Sequence, residues 1–446
     1  MQKEKMGVGM FYAADLFCGA GGTSTGLVRA AEERGVQLNL LAVNHWAVAV
    51  DTHTRNHPWA QHLCADLGSV DPSRVVPGGK LDLLVASPEC THFSVARGGK
   101  PCSDQSRASA WHAVHWLERL QVDEFLMENV REFETWGPLT RKGQPNKKKR
   151  GATFAAFVNA LESLGYAVEW KILNAADYGD ATSRKRLFLR ASRRRKIVWP
   201  EPSHVGRWRP AREVIDWGVE SQSIFKRKRP LRAATLRRIE AGLKKFGGEP
   251  FIAVLRGTLA EHPDGGARSV EQPLGTVTAG GMHAALCEPF VLGQQSGSVA
   301  RSTKEPIPTV STSGAIALVQ PFILAMEHCG SVRSTEKPLP TITTAKGGAF
   351  GLCQPFLTKY YGSGTGARPV TEPFDTITAK DRFALVEPGK MDILFRMLQP
   401  HELAAAMGFD GYQFAGTKTD QVRQIGNAVS VRTAKALCGS VMDLKR

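Results

Sequence analysis

Cys90 is the first residue of this sequence whose setting suggests chemistry. It lies in Ser87-Pro88-Glu89-Cys90-Thr91-His92-Phe93-Ser94, directly after the apolar run Leu81-Asp82-Leu83-Leu84-Val85-Ala86. A buried strand that ends in a proline and a polar loop presents a thiol at the carboxyl edge of a sheet, where open α/β folds bind their ligands. Such a thiol is a candidate nucleophile; the alternative is a packed core cysteine, since free Cys is among the most buried residue types. Its company favours the nucleophile. Phe125-Leu126-Met127-Glu128-Asn129-Val130 reads as a strand ending in a carboxylate, and Arg184 and Arg186, two apart at the start of an apolar strand, share one face. Upstream, Asp15-Leu16 opens into Phe17-Cys18-Gly19-Ala20-Gly21-Gly22 and then a helix-compatible segment. Glycines there let backbone approach a ligand, and the helix start offers N–H groups to a carboxylate or other anion. This is a nucleotide-type cofactor loop, although it departs from the dinucleotide G-x-G-x-x-G pattern.

The elements that must hold these groups are short apolar strands alternating with helical segments, in a chain of 446 residues, long enough for two or three domains. A net charge of +16 points to a polyanionic partner, for which nucleic acid is the natural candidate. The charge is concentrated in Lys147-Lys148-Lys149-Arg150, Arg193-Arg194-Arg195-Lys196 and Lys226-Arg227-Lys228-Arg229, each a candidate phosphate contact or a solvated loop. Eight cysteines without a C-x-x-C pair, and a polar start over Met1–Lys5, suit a reducing, cytosolic compartment. His45, His53, His57 and His62 cluster in sequence without Cys or acidic partners at ligand spacing, so no metal site is expected.

The middle of the chain is repetitive. Arg268, Pro273 and Thr276 recur at identical offsets as Arg301, Pro306 and Thr309, as Arg333, Pro338 and Thr341, and as Arg368, Pro373 and Thr376. Between them stand Pro250-Phe251, Pro289-Phe290, Pro321-Phe322 and Pro355-Phe356, each followed by a short apolar stretch. Each unit reads as two short strands joined by turns, and stacked units bury faces that one unit cannot. The repeated arginines are expected along one polar edge, as phosphate contacts rather than base readers.

In their order and spacing, Phe17-x-Gly19-x-Gly21-Gly22, Pro88-Glu89-Cys90-Thr91-His92-Phe93-Ser94, Glu128-Asn129-Val130, Arg184-x-Arg186 and Gly426-Asn427-Ala428-Val429 resemble the motifs of the DNA (cytosine-5)-methyltransferase family. The resemblance covers residues 10–200 and 391–446. It implies an α/β fold, a class I S-adenosylmethionine-dependent methyltransferase (Rossmann-like) sheet domain with an inserted β-rich repeat domain. The expected divisions are a catalytic and cofactor-binding domain over 10–200, a target-recognition domain with four repeats over 201–390, and a segment over 391–446 that returns to the catalytic domain.

The resemblance also assigns roles. Cys90, Glu128, Arg184 and Arg186 would be catalytic; Phe17, Gly19, Gly21, Gly22, Asn44, Asp66, Pro88, Asn427 and Val429 would hold S-adenosylmethionine. The implied activity is methylation of cytosine C5 in double-stranded DNA through a covalent Cys–C6 intermediate, with the base flipped from the duplex. An RNA cytosine-5 methyltransferase is the alternative within the class, and a catalytically weak DNA-binding module the one outside it. The sequence departs from the family at Glu89, which stands where a proline is usual and whose charge would raise the Cys90 pKa. It departs also at Thr182, in place of Gln, and at Asn44, in the place of an acidic ribose ligand. The loop from Thr91 to about Ala110 would close over the flipped base. The expected setting is a monomer in the cytoplasm of a prokaryotic or phage-infected cell, nucleoid-associated, with a cognate restriction endonuclease as a further partner.

Overall fold

The computed structural model describes residues 9–88, 109–141, 144–224, 227–232, 235–237, 239, 241, 250–255, 266–279, 283–291, 301–302, 322–325, 350–353, 356–359, 367–369, 383–386 and 393–445. These fall into two compact units, the first made of Met1–Ile215, Glu271–Met282 and Gln399–Arg446, the second of Asp216–Val270 and His283–Leu398.

The first unit is built on a seven-stranded sheet. Its strands are β1 (Met10–Leu16), β2 (Gln37–Asn44), β3 (Gln61–Cys64), β4 (Lys80–Ala86), β5 (Gln121–Asn129), β6 (Ala167–Asn174) and β7 (Lys185–Ser192). They lie in the order β3-β2-β1-β4-β5-β7-β6. All run parallel except β7, which is antiparallel to both neighbours. Helices α1 (Gly22–Arg34), α2 (Ala47–Asn56), α3 (Ser109–Arg119) and α4 (Ala152–Ser163) connect them. The central strands are apolar runs rather than alternating patterns because both faces are covered. Alternate residues of β4 show this: Leu84 and Ala86 join a core with Trp116, Phe125 and Phe157, while Leu83 and Val85 join another with Leu27, Leu126 and Leu437. From β1 the chain winds outward through β2 to β3; from β4 it winds the other way. The carboxyl ends of β1 and β4 therefore flank the switch point at which such sheets take ligands.

The end of the chain completes this unit through α5 (Pro400–Ala406), α6 (Lys418–Asn427) and α7 (Val431–Lys445). Capping boxes fix the starts of α5, from Gln399 and Glu402, and α6, from Thr417 and Asp420. Helix α7 lies against α1, and their backbones approach so closely that a Cβ on Gly26 would meet the Ala434 Cβ and the Lys435 nitrogen at 2.6 Å. One turn earlier, a Cβ on Gly22 would overlap the Val429 carbonyl. Buried Asp180 ties the start of α7 down, pairing with Arg432 at 3.5 Å and accepting from the Thr433 N–H at 3.4 Å.

In the second unit the repeats are visible as strand register. Ile252, Val291 and Leu357, each the residue after a Pro-Phe pair, stand opposite Arg268, Arg301 and Arg368. On the other side Phe251, Phe322 and Phe356 stand opposite Cys287, Cys353 and Val386. The unit is thus a Phe-bearing strand between two partners where three strands are described, one more than the two expected from sequence; Arg333 lies outside the described residues. The division of the chain differs as well. The strand Ile393–Met397 pairs with Ala284–Val291, so the second unit runs to Leu398 rather than ending at 390. Residues 201–215 and 271–282 join the first unit, where Leu274–Gly275 pairs with Thr182–Ser183 and the Ala211 N–H donates to the Gln272 carbonyl at 2.9 Å.

The glycine contact sets an expectation. Gly26→Val places atoms where α7 already sits, so it should destabilise the protein by about 1–3 kcal/mol or more in urea unfolding, whereas Gly35→Ala, whose Cβ meets nothing within 4 Å, should cost less despite its left-handed backbone. Equal losses for the two variants would show that the α1–α7 contact yields.

Candidate active site

Strand register brings the candidate residues to one edge. Leu16 stands opposite Val43 and Ala86, Asn44 opposite Cys64, and Ala86 opposite Met127. Phe17, Asn44, Ala65, Ser87 and Glu128 are therefore the next residues along adjacent strands or at their ends. Because β7 is antiparallel, with Glu128 opposite Phe188, its first residues come to the same edge while its last, Ser192, lies opposite Glu124 at the other.

Glu128 is the chemical centre of the described part. Its carboxylate is almost fully buried and faces two guanidinium groups: Arg186 Nε lies 3.2 Å and Arg184 Nη2 3.9 Å from Oε1. Burial pushes its pKa above the usual carboxylate range, with Arg186 and then Arg184 pulling it back. The two arginines differ in what else they do. Arg184 is buried and donates to the Val277 carbonyl at 3.0 Å and the Gly426 carbonyl at 3.2 Å, so it is bound into the protein. Arg186 is partly exposed and donates to the Lys185 carbonyl at 2.9 Å. Asn129, fully buried, links β5 to β4 by donating to the Pro88 carbonyl at 3.3 Å, and the Ser87 N–H donates to the Leu16 carbonyl at 3.1 Å. These bonds fix the root of the loop two residues before Cys90. Cys90, Glu89 and the proposed closing loop lie outside the described residues up to Ala108.

The turn after β1 has three residues with left-handed backbone, Phe17 at φ 59°, Gly19 at 53° and Gly21 at 94°. A bulky residue held there is strained, a condition that persists where the surroundings over-determine it, as in ligand clamps. Phe17 rests against the core. Above Gly19 the space is open, since the nearest atom to a Cβ would be the Phe17 carbonyl oxygen at 3.9 Å. At Gly21 a Cβ would meet the Tyr412 hydroxyl at 2.7 Å and the His53 ring at 2.8 Å. Behind the turn, Asp15 is buried and accepts from the Ser24 hydroxyl at 2.6 Å; desolvation raises its pKa to about 7. Val429 is buried against Gly22, and Asn427 is exposed at the end of α6.

Two of the expected cofactor residues accept hydrogen bonds from nearby backbone. Asn44 is buried, and its Oδ1 accepts from the Trp46 N–H at 2.8 Å, so its amide oxygen caps the turn into α2 while the next residue, His45, is the exposed one. An Asn just before a helix start is a capping signal that could have revealed this. Asp66 is exposed and accepts from the Gly68 N–H at 2.8 Å. Of the histidines, His53 and His62 share a hydrogen bond of 2.8 Å between Nδ1 and Nε2, and His57 Nε2 lies 3.0 Å from the Thr25 hydroxyl. No group of three His, Cys, Asp or Glu among the described residues is arranged to hold a metal.

Two measurements check this electrostatic description. Asp15 has a folded pKa near 7 against 3.8 unfolded, so the folded state holds its proton longer; stability should be full below pH 3.8 and fall by up to about 1.4 kcal/mol per unit as pH rises towards 7. Asp15→Asn should flatten that part of the stability profile. Arg184→Ala, which leaves Glu128 and two carbonyls without a buried cation, should cost about 3–5 kcal/mol, and Arg186→Ala clearly less.

Comparison with known proteins follows this geometry. Residues 11–224 and 333–443 match the C-5 cytosine-specific DNA methylases. Over 198 residues the chain is 32% identical to type II methyltransferase M.AgeI of Thalassovita gelatinovora, covering 43% of this chain and 42% of that one. It is 33% identical over 196 residues to type II methyltransferase M1.HphI of Haemophilus parahaemolyticus, covering 43% and 48%. The matched region thus spans less than half the length of these relatives. Among solved structures, a Spodoptera frugiperda DNMT2 shares the fold with a TM-score of 0.51 at 15% identity, over 97% of this chain and 99% of that one. The fold is that of the S-adenosylmethionine-dependent methyltransferases, and with most of its length matched the chain belongs to the C-5 cytosine-specific DNA methylase family.

Proposed function

We propose that this protein methylates C5 of cytosine in duplex DNA with S-adenosylmethionine as donor. The observation that carries the reading is the meeting of Glu128 with Arg186 and Arg184 beside Pro88, two residues before Cys90, in a member of this family. The residues at the edge suit the cofactor. The open turn over Gly19 would leave room for it, the N–H groups of the first turn of α1 would suit its carboxylate, and exposed Asp66 and His45 would offer polar groups to the nucleoside. Bound there, S-adenosylmethionine would supply the electrophilic methyl group.

The protein's own part is to make C5 a nucleophile. The Cys90 thiolate adds to C6, and the electron pair moves towards N3 and C5. Glu128, whose carboxyl is kept towards its protonated form by burial, donates to N3 and accepts from the N4 amino group, which stabilises the charge as it develops. Arg186, the more exposed of the pair, fixes the Glu128 carboxylate and reaches the base oxygen or a nearby phosphate; Arg184 holds the wall behind them. After methyl transfer the C5 proton is removed and the thiolate leaves. A stacked base cannot be attacked above C6, so the target is flipped into the site at a cost of a few kcal/mol. The repeat unit over 216–398 would be the sequence reader, with Arg268, Arg301 and Arg368 in equivalent strand positions contacting phosphate. The type II names of the relatives support a restriction–modification setting with a cognate restriction endonuclease, and no described helix is long and apolar enough to cross a membrane.

Duplex DNA carrying 5-fluorocytosine tests the reading, because the fluorine cannot leave as a proton does and the adduct accumulates. Wild-type protein with S-adenosylmethionine should give a denaturation-resistant complex and Cys90→Ala none. Glu128→Gln should lower the methylation rate by about 10²–10⁴ while leaving S-adenosylmethionine binding in place. An equal yield of complex from Cys90→Ala would remove the covalent mechanism.

A further inference from the structure

The three basic runs of the sequence have different fates. In the run after β7, the Arg193 guanidinium lies 4.9 Å from the Tyr166 ring centre, while Arg194 pairs with Asp123 at 3.2 Å and donates to the Leu444 carbonyl at 2.8 Å. Half of that run, Arg193 and Arg194, is thus engaged by the protein, and the run lies at the edge away from Glu128. In the second unit Arg227 stacks over Phe395 at 5.7 Å. Lys147, Lys148, Lys149 and Arg150 are different. All four are exposed, and none of them pairs with an acidic side chain among the described residues. Between Gly137 and Gly151 the sequence has six cationic residues and no acidic one.

Topology places this segment at the catalytic edge. Strand β5 leaves the sheet there at Glu128-Asn129, and a 3-10 helix, Arg131–Thr135, follows. Helix α4 must run back to the opposite edge, because β6 begins at Ala167 opposite Ser192, so the start of α4 and the segment before it lie at the Glu128 edge. Thr135 is seven residues from Glu128 and so within about 25 Å of it. The segment is also held firmly. Gly151 N–H donates to the Thr135 carbonyl at 3.2 Å, Asn146 N–H to Pro138 at 3.0 Å, and Thr140 N–H to Gln144 at 2.7 Å. The Trp136 carbonyl accepts from Thr153 and Phe154, both at 3.0 Å, and its ring is buried 5.0 Å from Phe133. A Cβ on Gly137 would overlap the Lys149 carbonyl, which fixes the return strand.

Folding alone does not favour this arrangement. Three lysines occupy one 3-10 turn capped by Asn146, and Arg150 precedes the positive end of α4, whose first turn has no acidic residue. Cations there repel one another and oppose the helix dipole. A row of negative charge relieves both. The Asn146 side chain is already taken by the Lys148 N–H, so the turn offers point charges rather than base-reading groups.

We propose that the two paired segments 137–141 and 144–151 form a phosphate clamp, a sequence-independent contact for the backbone of duplex DNA beside the flipped base. The assignment rests on the DNA reading above. Its test is DNA binding by the full protein between 50 and 300 mM salt, for wild type and for Lys147→Ala/Lys148→Ala/Lys149→Ala/Arg150→Ala, on duplexes with and without the methylated sequence. Each phosphate contact carries a slope of about 0.9, so the substituted protein should lose roughly two to four from its salt slope and at least tenfold in affinity at low salt, equally for both duplexes. The methylated sequence and S-adenosylmethionine affinity should be unchanged, and a variant with Arg in place of the three lysines should keep the slope. An active enzyme whose slope is unaltered by the Ala substitutions overturns the clamp alone, as does a loss confined to one duplex sequence. Absence of methylation in a wild type that still shows the slope difference would remove the enzymatic reading and leave the clamp standing.

Discussion

The arrangement at the catalytic edge depends on one buried cation. Arg184 reaches three segments far apart in sequence, the carbonyl of Val277, the carbonyl of Gly426 and the carboxylate of Glu128. A guanidinium out of water is costly, and the acceptors that meet it make it tolerable. Its presence therefore requires that residues 271–282 and the end of α6 be in place whenever the sheet is. Gly426 is a glycine for the same reason: a Cβ there would overlap the backbone of Thr278 and Ala279, the segment that Arg184 holds.

That dependence orders the rest of the site. With Arg184 also committed to backbone, Arg186 is the more exposed cation facing Glu128, and the carboxyl keeps a raised pKa because the desolvation of burial outweighs the pull of the two guanidinium groups. Asn129 ties the same strand end to Pro88, so Glu128, its two cations and Pro88 share a single corner of the sheet. The clamp proposed for residues 137–151 grows from the next turn of chain, which makes one strand, β5, the source of both base and backbone contacts.

Much of this was legible. The runs Leu81–Ala86 and Phe125–Asn129 are strands because sequences apolar on both faces fit only the middle of a covered sheet, and the fixed Arg–Pro–Thr offsets announced equivalent strand positions. What was hidden depends on partners distant in sequence. The orientation of β7 decides which edge Arg186 faces, and nothing in Lys185–Ser192 encodes it. In two of the described repeats the further partner strand is supplied by the residues at or before the next Pro-Phe, Ala284–Val291 and Phe350–Cys353, and Ala284–Val291 serves two pairings at once. Asn44 reads as a ligand from its place in a motif and as a cap from its hydrogen bond. The basic runs at 147–150 and 193–196 are nearly the same in composition, yet Arg193 and Arg194 meet Tyr166, Asp123 and Leu444, while residues 147–150 pair with no acidic side chain among the described residues.

The close approach of α1 and α7 has a kinetic side. The glycines that admit α7 are made well before their partner, with some 400 residues between Gly26 and Ala434. Closing so long a loop is slow, but its entropic cost rises only logarithmically, by about 0.6 kcal/mol for each doubling of length. The turn at Phe17–Gly22 therefore stays without its wall until α7 has been made, some 400 residues later. By the same arithmetic, adding or deleting one repeat of some thirty residues hardly changes the loop, so a unit built of interchangeable repeats can vary in copy number with little cost to that closure.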